Sequence, residues 1–274
     1  MQPGMRKALT ILSLGRLGGF GNQVFQVCTG LALARRLGAQ LQVPADWPGR
    51  RMFDVDLPPI TTRASARTAR DYLPGPADLE RHACIDLWGY WQFQEAMDLY
   101  SRKDVLAWLP LQQWVRDRFP RHAPDGAQGT RIVIHKRRGD YLAPQHVERY
   151  CTVSDQSFYR CLYAQVIEDL GADRPVYVHE VSDDAPCRDE HCESLGLGFL
   201  PDFMKMVNAD IVIRSCSTFS FWAPVFGQNR VYSPVVADKA GWSDVAFVRG
   251  NHPRFVGPSR IPEFRHTDLL LREE

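Results

Sequence analysis

Ala8 to Leu14 is a short apolar run that ends in the glycine-rich segment Gly15 to Gly21. Val24, Phe25, Cys28, Leu31 and Ala32 then recur at helical spacing, with Arg35 toward the end, where positive charge suits a helix C-terminus. Gly38 stops the helix, and Leu41 and Val43 open a second strand before Pro44. Strand, glycine-rich turn, helix and strand in this order form the repeating unit of an open α/β sheet.

The second half restarts the same logic. Arg131 to His135 reads as a strand, and Ser154 caps a predicted helix that runs to about Leu170 and closes at Gly171. Val176 to Val178 and Ile211 to Ile213 are strands, with a helical Asp202 to Asn208 between them. Ser217 caps a short helix to about Phe226, and Arg230 to Tyr232 is a last strand. Between the halves, Ile85 to Tyr90 reads as a strand, and Phe93 to Tyr100 and Leu111 to Phe119 as helical. Trp47 to Pro76 reads as loop with short irregular elements. The polar, turn-rich Pro120 to Gly129 marks a domain boundary. The expected architecture is two Rossmann-like domains, 1–128 and 129–274, with a cleft between them and the last residues free to pack back on the N-terminal domain.

With 274 residues, 45% of them hydrophobic and 24% charged, the chain has room for two ordinary domains and an ordinary globular balance. A formal net charge of +1 argues against a general nucleic-acid binder. The cysteines are odd in number and include no C-x-x-C pair, which suits reduced thiols and a cytoplasmic setting rather than a disulfide framework. Cys187, His191 and Cys192 lack the second ligand pair that a zinc site needs. No signal peptide and no apolar run near the ~20 residues of a membrane span is visible.

Four motifs sit at strand ends. Gly18-Gly19-Phe20-Gly21-Asn22-Gln23 lets backbone approach a ligand at a helix N-terminus, but it has neither the third glycine of a dinucleotide fingerprint nor the Gly-Lys-Ser/Thr of a P-loop. A tight turn with Asn22 as helix cap serves equally. His135-Lys136-Arg137-Arg138-Gly139-Asp140-Tyr141 leaves an apolar strand, and two arginines there can meet a pyrophosphate with forked hydrogen bonds. The alternative is a solvated turn with an Arg138–Asp140 pair. Ser182-Asp183-Asp184 is either a simple turn or a carboxylate pair able to accept N–H groups from a guanine edge or to hold a metal. Ser217-Thr218-Phe219 opens a helix and is either an anion site or a plain cap, while Phe221 and Trp222 read as packing residues. Together these segments describe a nucleotide-diphosphate pocket better than any one of them does.

The same segments resemble the α-1,2-fucosyltransferase family and its wider superfamily, which includes the α-1,6- and protein O-fucosyltransferases. The family's G-G-L-G-N-Q-M-F-Q stands here as Gly18 to Gln26, its H-x-R-R-G-D-Y as His135 to Tyr141, and its S-D-D as Ser182 to Asp184. Gly89-Tyr90-Trp91-Gln92 resembles G-Y-F-Q, and Asp202 to Gly227 follows the family's last motif in outline. Lys136 stands where the family has an apolar residue, and Phe221-Trp222-Ala223-Pro224 where it has W-W-G-A.

The resemblance implies a GT-B fold and an inverting, metal-independent transfer of L-fucose from GDP-fucose to a glycan acceptor, as an α-1,2 linkage to galactose or onto another acceptor. The alternatives are a related transferase with another acceptor, such as a protein or lipid-linked glycan, or another donor such as GDP-mannose, a non-catalytic GDP-sugar binding module, and a structural α/β domain. By position it implies that Arg137 binds the β-phosphate, with Arg138 beside it, and that His135 and Asp183 help hold the nucleotide. Ser217, Thr218 and Phe219 would line its phosphate and base pocket. Gly19, Gly21 and Asn22 would face donor and acceptor, Asn22 positioning a hydroxyl. Asp140 stands either as acceptor base or as the group that orients Arg138. No cofactor, metal or nucleic-acid partner is expected. A lipid-linked acceptor would place the chain at the inner face of the inner membrane.

Overall fold

The computed structural model describes residues 7–121, 129–143, 156–171, 175–227, 229–238, 241–244 and 263–266. The chain folds as two compact units that divide between Val115 and Arg116. That division falls earlier in the chain than the turn-rich segment before Gly129. Arg118 makes an ion pair with Asp189, Asn208 Nδ2 donates to the Phe119 carbonyl and Arg131 donates to the Arg121 carbonyl, so residues 118–121 are stitched to the second unit. The C-terminal residues expected to pack back lie outside the described residues, as does Ser154.

In the first unit, β1 (Ala8–Thr10) lies between β2 (Gln40–Gln42) and β4 (Cys84–Asp86), and β3 (Ala66–Arg67) adds to the outer edge of β4. All three pairings are parallel. The expected strand Ala8 to Leu14 stops at Thr10 because the Asp86 carboxylate takes the Leu12 N–H at 2.9 Å and turns the chain out of the sheet. Helix α1 (Phe20–Leu37) covers the sheet and ends at Gly38, whose φ of 61° makes the left-handed cap. Gly30 sits where α1 meets the strands: a Cβ there would come within 3.0 Å of the Ile11 and Leu41 methyls. The irregular stretch after Trp47 holds α2 (Gly49–Met52), and α3 (Pro76–Arg81) follows with proline in its first turn. Helix α4 is confined to Gln94–Met97, since Ser101 begins a separate helix, α5 (Arg102–Trp108), through a capping box with Asp104. Helix α6 (Gln113–Arg118) carries the chain into the second unit.

The second sheet runs in the order β10-β8-β7-β5-β6, with β9 paired to β8. Strands β5 (Thr130–Lys136), β6 (Val176–Ser182), β7 (Ile211–Ile213) and β8 (Arg230–Asp238) are parallel, while β9 (Gly241–Asp244) and β10 (Glu263–His266) run antiparallel to β8. Strand β6 extends past Val178 to Ser182 because β5 pairs with it as far as Lys136. One face of β5 carries Ile132 and Ile134 into a core with Tyr159 and Val166 of helix α7 (Gln156–Leu170), Ile211 and Ile213. Lys136 continues that face. It is buried, its ammonium pairs with Glu180 and lies 5.7 Å from the Tyr159 ring centre, so this cation fills an apolar position as an ion pair. Helices α8 (Glu190–Ser194), α9 (Leu200–Val207) and α10 (Thr218–Phe226) complete the unit, with Phe203, Phe221 and Trp222 fully buried. Among the described residues no helix is long and apolar enough to cross a membrane.

Candidate functional site

Strand β5 has β6 on one side and β7 on the other. The chain leaving β5 returns on the β6 side, and the chain leaving β7 goes on to β8. Their outgoing loops therefore part, and the gap beyond their carboxyl ends is the topological switch point, where open α/β sheets bind ligands. The loop after β5 carries Arg137 and Arg138. The loop after β7 carries Arg214 to Ser217 and feeds α10.

His135 ties the two loops together. Its Nδ1 lies 2.7 Å from the Ser215 hydroxyl, and its ring packs 5.8 Å from that of Phe219. Burial, reinforced by the positive charges of Arg137 and Arg214, lowers its pKa to about 3. The imidazole is therefore neutral at any ordinary pH and acts as a strut. Below the unfolded value of 6.5 the unfolded chain binds a proton that the folded chain refuses, so stability is complete above pH 6.5 and falls as pH drops toward 3. From pH 6.5 to 5, before most carboxylates titrate, this one group contributes a loss of about 1.4 kcal/mol per pH unit at most. His135→Gln should flatten that slope in urea titrations at stepped pH; an unchanged slope would show that the imidazole is not the group responsible.

The acidic turn after β6 grips the arginine loop. Asp183 accepts from Arg137 Nη1 and from the Arg138 backbone N–H, both at 2.7 Å, while Arg138 Nε lies 3.2 Å from Asp184. The Ser182 hydroxyl also donates to Asp184, and that bond, ahead of the nearby Arg138 charge, lowers the Asp184 pKa. Gly139 has φ 50°, and a Cβ there would lie 2.7 Å from the Asp183 carboxylate. Arg138 thus pairs with Asp184; the side chain of Asp140, the other expected partner, lies outside the described residues. Asp183 serves first as the clamp on Arg137.

Ser217 caps α10 by accepting from the Phe219 N–H at 3.2 Å. Ser220 turns back to the Ser215 and Ser217 carbonyls. Thr218 is half-buried at the helix start, and Phe219 packs on Phe199 and Phe203 as well as on His135. The first turn of α10 and the Arg137 guanidinium thus belong to adjacent strands at the switch point, joined by the His135–Ser215 contact. A helix N-terminus and a clamped arginine that follow adjacent strands suit a phosphorylated ligand. Sequence reading missed Ser215, which lies beside the Ser217 motif but carries no pattern of its own. Among the described residues no group of three or more His, Cys, Asp or Glu side chains gathers as a metal site, and the Cys187 sulfur receives the Lys205 ammonium.

The glycine-rich motif lies in the first unit. Gly19, not Asn22, is the N-cap of α1, because the helix already begins at Phe20. Asn22 in the first turn accepts from Gln92 Nε2 at 2.6 Å. Gly18, at φ 79°, has no room for a Cβ, which would meet the Asn22 amide at 2.3 Å, whereas Gly19 has open space around it. Gly21 is buried inside the first turn. Gln23 donates to the Gly18 carbonyl and accepts from Trp47, while Gln26 donates to the carbonyls of Leu17 and Gly89. The two glutamines pin the loops after β1 and β4, and Asn22 with Gln92 is left at their meeting point.

No protein-family model matches this sequence, and no curated protein matches it. Solved structures do. The α-1,6-fucosyltransferase NodZ co-crystallised with GDP aligns over 87% of this chain and 97% of its own, with TM-score 0.52 and 15% identity. The fucosyltransferase NodZ from Bradyrhizobium, in selenomethionine form, gives TM-score 0.51 at 14% identity over 87% of this chain and 99% of its own. POFUT1 in complex with GDP gives TM-score 0.54 at 12% identity over 82% of this chain and 96% of its own. With two sheets, the first parallel and the second parallel over β5 to β8, one in each unit, these likenesses establish a GT-B type fold of two Rossmann-like units.

Proposed function

We propose that this chain is a fucosyltransferase that uses GDP-fucose as donor and a glycan hydroxyl as acceptor. The observation that carries the reading is that the loop bearing the Asp183-clamped Arg137 and the Ser217-capped N-terminus of α10 follow adjacent strands at the switch point of the second sheet. The likeness to GT-B proteins crystallised with GDP supports it. The diphosphate would lie between Arg137, with Arg138 beside it, and Ser217 to Phe219. Asp183 orients Arg137, and the neutral His135 fixes the β7 loop. Asp183 remains the candidate for the guanine edge once a phosphate competes for Arg137.

The leaving group is GDP, so negative charge develops on its β-phosphate as the bond to the fucose breaks and the acceptor oxygen takes its place. Arg137 and the helix dipole would stabilise that charge, which is why we assign a metal-independent reaction. One in-line displacement of a β-linked donor gives an α-fucoside. Asn22, held by Gln92, would position the acceptor hydroxyl, and Asp140 would accept its proton or orient the loop. We assign an α-1,2 linkage to galactose on the motif resemblance, and a cytoplasmic site of action, at the membrane surface if the acceptor is lipid-linked.

Incubation with GDP-fucose and galactose-terminated, N-acetylglucosamine-terminated and peptide acceptors tests this reading. An α-fucoside, with GDP released only when acceptor is present, is expected. A β-fucoside would contradict inversion, and transfer solely to a non-galactoside would contradict the linkage.

A further inference from the structure

The backbone leaving β4 is unusual. Gly89 has φ 155° and Trp91 φ 50°, and the residue that holds this turn, Asp71, has φ 60°. Its carboxylate takes the Tyr90 and Trp91 N–H groups. Left-handed backbone at residues that carry side chains is costly, and such outliers gather where a ligand makes use of them. Gln92 is the residue that this turn delivers.

Gln92 arrives at a place suited to a ligand. Strands β1 and β4 are adjacent and parallel, and open α/β sheets hold ligands beyond the carboxyl ends of such strands. Gln26 pins the loops that follow them through the Leu17 and Gly89 carbonyls, so the position of Gln92 is fixed in advance. Gln92 Nε2 donates to Asn22 Oδ1 at 2.6 Å. The side chain is half-buried. Among the described residues its Oε1 has no hydrogen-bond partner, yet it is not one of the atoms shut away from solvent. An oxygen and the second N–H of one rigidly held amide are therefore left over. Neighbouring hydroxyls of a sugar ring, each able to donate and accept, match that pair. The exposed backbone of Gly18 and Gly19, with open space around Gly19, lets a ring approach closely.

We infer that Gln92 contacts the glycan acceptor directly, its Oε1 accepting from a ring hydroxyl, and helps select the sugar as well as supporting Asn22. The binding stands on the first unit alone; only the role of that sugar as fucose acceptor rests on the transferase reading.

Amide NMR of the whole chain without nucleotide, titrated with the methyl glycosides of galactose, glucose, mannose and N-acetylglucosamine to about 50 mM, tests the inference. At least one glycoside should shift the Gln92 side-chain NH2 signals, which are identified by their loss in Gln92→Met. Intermolecular NOEs should join those signals to the ring protons of the sugar, a result that mere support of Asn22 would not give. Gln92→Met keeps the length of the side chain and should weaken that glycoside about two- to tenfold, the worth of one uncharged hydrogen bond. Backbone signals outside the two loops should stay in place, which shows that the variant is folded. No shift with any glycoside, shifts without NOEs, or equal affinity in Gln92→Met overturns the inference. A wild type that binds a glycoside through Gln92 but forms no fucoside from GDP-fucose would instead remove the transferase reading and leave this contact standing.

Discussion

Arg137→Ala is expected to lower turnover of GDP-fucose by about 10²–10³-fold, the usual cost of removing one pre-organised donor from a developing anion. The side chain is only 27% exposed and lies on the Asp183 carboxylate, so its guanidinium is already oriented before ligand arrives. The loss should fall on kcat more than on KM, because the charge on GDP grows as the sugar bond breaks. Arg137→Lys keeps the charge and loses the fork, and should recover only part of the rate. Asp183→Asn leaves the arginine in place but unclamps it, and should be milder than Arg137→Ala. Retention of more than about a tenth of wild-type turnover by a folded Arg137→Ala protein would remove Arg137 from the reaction.

Gly89→Ala is expected to cost about 3 kcal/mol or more in stability. Gly89 has φ 155°, and a Cβ would lie 2.5 Å from the Asp71 backbone nitrogen. The neighbourhood has no slack. Asp71 at φ 60° and Trp91 at φ 50° are both left-handed residues that carry side chains, and the Asp71 carboxylate accepts from the Tyr90 and Trp91 N–H groups at 2.6 and 2.8 Å. Such strain persists only where surrounding bonds over-determine it. Chemical denaturation reads the loss, and hydrogen exchange locates it: the Tyr90 and Trp91 amides should lose protection first. A change below about 0.5 kcal/mol would mean that the loop has another backbone conformation.

Much of the frame was legible in the sequence because apolar periodicity is a local signal. Ala8–Thr10, α1 with its Gly38 stop, Ile211–Ile213 and the Ser217-capped helix all carry it. What was hidden depends on partners distant in sequence. Ala66–Arg67 is a strand only because β4 lies beside it. Helix α5 falls between the expected helices Phe93 to Tyr100 and Leu111 to Phe119, although Ser101 and Asp104 mark its start. The expected strand through Tyr90 breaks after Asp86, where strained backbone held by Asp71 replaces the sheet. In the site, the motifs named Arg137, Arg138, Asp183 and Ser217, but not who holds whom. That Asp183 clamps Arg137, Asp184 takes Arg138 and Ser215 meets His135 follows from strands brought side by side, which spacing along the chain does not encode.

Nucleotide binding to the whole chain tests the assignment most directly, and titration calorimetry with GDP, GDP-fucose, GDP-mannose and UDP, each with and without EDTA, measures it. The account predicts that GDP and GDP-fucose bind, that EDTA changes neither, that UDP binds far more weakly, and that Arg137→Ala weakens GDP more than GDP-fucose. At about 100 times its dissociation constant GDP should then add ~2.7 kcal/mol to stability. Absence of guanine-nucleotide binding would contradict the account, and would leave the arginine loop and the capped helix as parts of the scaffold alone.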